Sequence, residues 1–100
     1  MRPTERLKQK IEIENLWLFI LHSLSRKPMS GNELKARIRE KFDFVTGTVT
    51  AYKVLYFLES GGYVKAEKKG KYVFYSITKK GTEELSAGRR MLFNYWRGLR

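Results

Sequence analysis

The amino-acid sequence predicts a mainly α-helical fold with one small β-hairpin, and three observations carry that expectation. Apolar residues recur at helical spacing in four stretches; one run, residues 63–77, is instead rich in Val, Tyr, Phe and Ile with a turn inside it; and the order is helix, helix, helix, hairpin, helix. With 100 residues, 42% of them hydrophobic, and only two prolines, the chain suits a single packed domain spanning 1–100. Zero cysteines exclude a disulfide framework, a thiolate nucleophile and a cysteine zinc site. The longest purely apolar run, Leu16 to Leu21, is far short of the about 20 residues that a membrane span needs. A cytoplasmic protein with no membrane partner and no cofactor is expected.

No Gly or Pro interrupts residues 5–26, Thr4 is available as N-cap, and Pro28 stops the run, so one long first helix is expected there. Leu16, Trp17, Leu18, Phe19, Ile20 and Leu21 cover every direction around its axis, which calls for partners on more than one side. Ser30 and Glu33 have capping-box spacing and open a second helix, 31–42, whose Leu34, Ile38 and Phe42 form an inward stripe. Thr46-Gly47-Thr48 offers turn and cap chemistry before a third helix, 48–60, with Ala51, Leu55 and Leu58 inward and Gly61-Gly62 as its stop. The hairpin follows as strands Tyr63 to Glu67 and Lys71 to Ile77 around a turn at Lys68-Lys69-Gly70. Thr78 then caps a terminal helix, 79–97, striped by Leu85, Gly88, Leu92, Tyr95 and Leu99. That stripe, with Met91, Phe93 and Trp96 beside it, needs a surface to cover it, and a twofold dimer through the first and last helices covers both copies at once. The expected interface comprises Ile13, Trp17, Ile20, Leu85, Met91, Leu92, Tyr95, Trp96 and Leu99.

Charge narrows the partner. Twenty-one Lys and Arg against ten Asp and Glu leave +11, and residues 61–81 hold six lysines against Glu67 alone. Such an excess points to a polyanion, nucleic acid first, although a solvated lysine-rich loop is the bland alternative for the segment itself. Catalysis finds no support: His22 is the only histidine, no second imidazole or thiol could complete a triad or metal cluster, and the carboxylates are interleaved with Lys and Arg as ordinary surface pairs.

The element order is that of a winged helix-turn-helix, here with N-terminal and C-terminal dimerisation helices added, and three stretches give it a family resemblance. Ile20-Leu21 and Leu24, then Lys27-Pro28-Met29-Ser30-Gly31-Asn32-Glu33-Leu34, are similar to Leu-x-x-Leu and Gly-Pro-Met-His-Gly-Tyr-Glu-Leu of the PadR-like transcriptional regulators. Thr50-Ala51-Tyr52-Lys53-Val54-Leu55-Tyr56-Phe57-Leu58-Glu59 resembles that family's Thr-Leu-Tyr-Pro-Ala-Leu-x-x-Leu-Glu without a gap, with Lys53 in place of Pro and Val49 where Gly is favoured. Phe74-Tyr75-Ser76-Ile77-Thr78-Lys79-Lys80-Gly81 resembles the aromatic pair followed by x-Leu-Thr-x-x-Gly. The resemblance implies a homodimeric DNA-binding repressor of the short subgroup with a single C-terminal helix, the third helix in the major groove and the hairpin as wing. In some short relatives an aromatic-lined pore between protomers takes up flat hydrophobic molecules. That makes a small hydrophobic effector a candidate partner and Trp17, Phe93, Tyr95 and Trp96 its candidate contacts, although helical spacing favours dimer packing for these aromatics.

Chemistry then assigns roles at a double-stranded DNA surface. Ser30, Asn32 and Lys35 suit one phosphate path; Thr46, Thr48, Thr50, Tyr52 and Lys53 suit the groove and its walls; Lys68, Lys69 and Lys71 suit the next backbone edge. With no arginine on the third helix, readout leans on Lys53, threonine–methyl contacts and DNA shape. Two other classes stay open, a winged-helix protein-interaction module and a ligand sensor with an aromatic pocket at the dimer interface.

Overall fold

The computed structural model describes all residues from Met1 to Arg100. In chain order the elements are α1 (Pro3–Gln9), a π-helical turn (Lys10–Glu14), α2 (Leu16–Leu24), β1 (Met29–Ser30), α3 (Gly31–Phe42), α4 (Thr48–Ser60), β2 (Val64–Lys69), β3 (Tyr72–Ile77) and α5 (Lys79–Gly98). No helix is long and apolar enough to cross a membrane.

The single first helix expected over 5–26 is broken in two. It begins at Pro3 rather than after a Thr4 cap, because proline fits the first helical position and the Glu5 carboxylate accepts the Arg2 backbone N–H at 3.3 Å. The break falls at Asn15, which leaves helical geometry at φ −120°, ψ 32°. Its side-chain amide donates to the Lys10 carbonyl at 3.1 Å, and its Oδ1 accepts the Trp17 indole N–H at 3.3 Å. An asparagine that bonds nearby backbone offers the chain an alternative to the helical ladder, and no Gly or Pro is needed to interrupt it.

Helix α2 is the axle of the body. Leu16, Ile20, Leu21 and Leu24 are fully buried with Leu34, Ile38, Leu55, Leu58, Val64 and Leu85. Phe19 meets Phe42 and Phe44 edge to face at 4.9 and 5.0 Å. The all-round apolar surface of this helix is therefore covered mainly by its own chain. Two expected interface residues must be reassigned on that ground: Ile20 and Leu85 are 1% and 2% exposed within the protomer and have no surface left for a second copy.

A strand absent from the expectation, β1, pairs antiparallel with β3, Met29 opposite Tyr75 and Ser30 opposite Phe74, which gives a three-stranded sheet of order β1-β3-β2. Two residues are too few for a period-2 pattern to show in sequence. Ser30 ends this strand and caps α3, so the helix start is tied to the sheet. The hairpin register runs from Val64 opposite Ile77 to Lys69 opposite Tyr72. The turn is therefore Gly70-Lys71, with Gly70 in left-handed geometry at φ +63°, and not Lys68-Lys69-Gly70; a two-residue hairpin favours positive φ, which glycine supplies without strain.

Candidate nucleic-acid interface

Helices α3 and α4 and the turn between them build the candidate surface. Ser30 Oγ accepts the Glu33 backbone N–H at 3.2 Å, and Glu33 Oε1 accepts the Ser30 N–H at 3.0 Å. That backbone hydrogen bond from Ser30 holds the Glu33 carboxyl below the usual carboxylate range. Helix α3 ends at Asp43, in left-handed geometry at φ 60°, ψ 40°, a conformation that short polar residues tolerate better than most. The chain then reverses into α4.

Gly47 precedes α4 and offers no side chain to cap it. The first helical bond runs from the Ala51 N–H to the Gly47 carbonyl at 2.9 Å, so the amides of Thr48, Val49 and Thr50 lie ahead of the ladder at the positive end of the helix dipole. Lys35 Nζ donates to Thr48 Oγ1 at 2.5 Å, joining α3 to this helix start. A cation, a hydroxyl and free amides at a helix N-terminus form a ready receptor for a phosphate group.

The other expected residues divide. Asn32, Thr48, Thr50 and Lys53 are exposed, and Ser30 and Lys35 are half-buried by their capping and bridging roles. Thr46 is a correction. At 8% exposure it is folded under the turn and presents nothing to a groove. The Tyr52 ring packs against the start of α3, so close over Gly31 that a Cβ there would lie 2.5 Å from the ring carbon Cζ and push the ring aside. Tyr52 thus joins α4 to the start of α3 while 40% of it stays exposed on this surface. Its neighbour Tyr75 has its hydroxyl pKa raised, by burial first and then by Tyr52 and Glu59.

Two residues outside the expected set share the outward face of α4. With Ala51, Leu55 and Leu58 buried, Val49, Lys53 and Tyr56 point the opposite way at i, i+4 and i+7. The same helical phase that identified the core stripe could have identified them. On the wing, Lys68, Lys69 and Lys71 are all exposed, but strand alternation puts Lys68 and Lys69 on opposite faces of the ribbon. Lys69 Nζ lies 3.8 Å from Glu67, and Lys71 Nζ lies 5.7 Å from the Tyr72 ring centroid.

Within one chain the candidate ligand aromatics fall into two groups: Phe93 and Trp96 stack with ring centroids 6.4 Å apart on α5, while Trp17 lines a separate cleft. A cleft of about 440 Å³ between α2 and α5 is lined by Trp17, Leu18, Phe42, Met91 and Leu92, with His22, Lys41 and Arg89 among its polar groups. Phe93, Tyr95 and Trp96 lie outside it, all more than half exposed on the distal part of α5. Sequence reasoning missed the link between His22 and Arg89, whose Nη2 lies 2.8 Å from His22 Nδ1.

The sequence profile of the "Transcriptional regulator PadR-like family" matches residues 20–87, which span the second half of α2, the helix-turn-helix, the wing and the start of α5. This chain belongs to the PadR-like family. Among solved structures, the PadR family regulator from Eggerthella lenta is similar at TM-score 0.83 and 20% identity, over 96% of this chain and 88% of that one. A transcriptional regulator from Clostridium thermocellum matches at TM-score 0.78 and 24% identity, covering 83% of this chain and 87% of that one. The PadR family regulator from Clostridium difficile gives TM-score 0.72 and 20% identity, over 83% and 91% of the two chains. At these identities the likeness concerns the PadR fold. No curated protein matches the sequence.

Proposed function

We propose that this PadR-like regulator binds double-stranded DNA sequence-specifically as a homodimer and represses transcription by occupying its site. Helix α4 enters the major groove, Lys35 and the open start of α4 hold a phosphate, and the wing lysines lie along the next stretch of backbone. The observation that carries this reading is the Lys35–Thr48 bridge at the uncapped start of α4, on a chain of net charge +11. Two copies related by a twofold axis set their α4 helices in successive major grooves, so the site is an inverted repeat with half-sites about 10 bp apart.

Selection of bound sequences from a random duplex library at physiological salt tests the reading. A twofold-symmetric motif is the expected result, and recovery of the input sequences without enrichment would contradict it. Lys53→Ala should weaken the selected site more than random DNA; an equal loss on both would make Lys53 a phosphate contact. The apolar cleft beside Trp17 supports a second role, control of DNA binding by a small hydrophobic effector. A titration of the protein–DNA complex with flat aromatic probes checks it, release of DNA being the expected outcome.

A further inference from the structure

Apart from Met1 and Leu99 at the chain ends, the most exposed large apolar side chains are Val49 at 82% and Val45 at 75%. Both lie at the same place, the first turn of α4 and the turn that leads into it. Neither adds to the core, and a β-branched residue is a poorer helix former than alanine, so the fold gains nothing from Val49. Its helix neighbours Thr48, Thr50 and Lys53 are all polar and exposed. A docking site for a protein would need a wide contiguous apolar centre, and here only the two isopropyl groups of Val45 and Val49 stand among hydroxyls and an ammonium.

Resting on the DNA-binding reading above, we propose that Val49 is a specificity-determining residue whose isopropyl group packs on the 5-methyl group of a thymine in each half-site. The donors and acceptors of base edges and phosphates have nothing to exchange with a valine. The thymine methyl is the one apolar group that the major groove displays, and it lies among the acceptors that suit Lys53 one turn along the helix. Lys53 and the α4 amides thus supply attraction, while Val49 discriminates by displacing water from a methyl group and by leaving polar base edges desolvated when that methyl is absent.

The test uses the duplex selected by the protein itself, with each thymine replaced in turn by deoxyuridine, a change that removes the methyl alone. At one thymine per half-site the wild-type chain should lose about fourfold in affinity, and roughly 15-fold when both half-sites are changed. Val49→Ala, which should unfold at or slightly above the wild-type temperature, should bind the thymine and deoxyuridine duplexes alike. If the wild type is indifferent to deoxyuridine at every position, or Val49→Ala keeps the full difference, the assignment is overturned while specific DNA binding stands. If no sequence is enriched by selection, the DNA-binding reading falls and the assignment falls with it.

Discussion

The winged body and the two flanking segments treat their apolar residues in opposite ways. Every buried residue lies between Leu16 and Leu85, whereas α1 and the π-helical turn bury none and α5 buries only Gly81 and Leu85. Yet the flanks carry Leu7, Ile11, Ile13, Met91, Leu92, Phe93, Tyr95, Trp96 and Leu99, all exposed. Helix α5 shows the change along one stripe. Leu85 is in the core, and Gly88 is packed so tightly that a Cβ would come within 2.9 Å of Trp17 and 3.1 Å of Leu18. Leu92, Tyr95 and Leu99 then continue the stripe past the body, 50%, 67% and 86% exposed. The body is a finished fold that carries the candidate DNA surface; the flanks are an unfinished one. A second copy of the chain would complete both sets of flanks without altering the body.

Breaking the body should have the largest effect. Leu55→Ala opens a hole beneath α4 at a residue 1% exposed and should cost about 2–5 kcal/mol, a large share of the stability of a small domain. Urea unfolding measures it; a loss below about 1 kcal/mol would mean that α4 is not clamped to the core as described. Leu92→Glu should leave the body folded and weaken self-association by about 3 kcal/mol, a hundredfold in Kd, by setting a carboxylate into an apolar contact. Sedimentation equilibrium with circular dichroism separates the two, and an unchanged mass for this variant would sink the flank interface.

Lys69→Ala sharpens the comparison from the wing. Its ion pair with Glu67 is exposed on both sides and is worth little, so Lys69 can exchange Glu67 for a phosphate. Each phosphate contact adds about 0.9 to the log–log salt slope, and the variant should therefore flatten that slope by roughly 2 in a dimer. An unaltered slope would leave the lysine merely solvated.

The smallest effect is expected at His22, which joins body to flank through Arg89. Its pKa is lowered from 6.5, by burial first and then by the positive charges of Lys41, Arg89, Arg26 and Arg37. The unfolded chain takes up a proton near 6.5 while the folded one resists, so stability is full above that pH and falls as pH drops below it. His22→Gln should flatten this dependence in thermal melts taken at pH 5 to 7. A melting temperature that climbs on acidification through the same range would reverse the sign and contradict the assignment.

How much of this could be read from sequence depended on whether the deciding contact was local. Helices α3 and α4 lie at the expected 31–42 and 48–60 because a capping box, a glycine turn and a glycine stop mark their ends. The break at Asn15 was hidden, since it depends on a side chain bonding a carbonyl five residues back and not on a breaker residue. Strand β1 exists only through its long-range pairing with β3. Periodicity marked Ile20 and Leu85 as apolar without saying whether the covering surface belongs to the same chain. At the candidate site, residue type identified Lys35, Thr48 and Lys53, but the burial of Thr46 and the fixing of Tyr52 over Gly31 arise from tertiary packing. Val49 was missed because an exposed valine carries no polar chemistry to attract notice.

In the proposed complex two bodies, coupled through their flanks, present two α4 helices to one duplex. Sedimentation velocity of the chain mixed with its selected duplex measures this directly. The expected boundary holds two copies of the 11.8 kDa chain per duplex, formed in a single step from a free species that already has twice the chain mass. A complex with one copy per duplex, assembled from a free monomer, would contradict it.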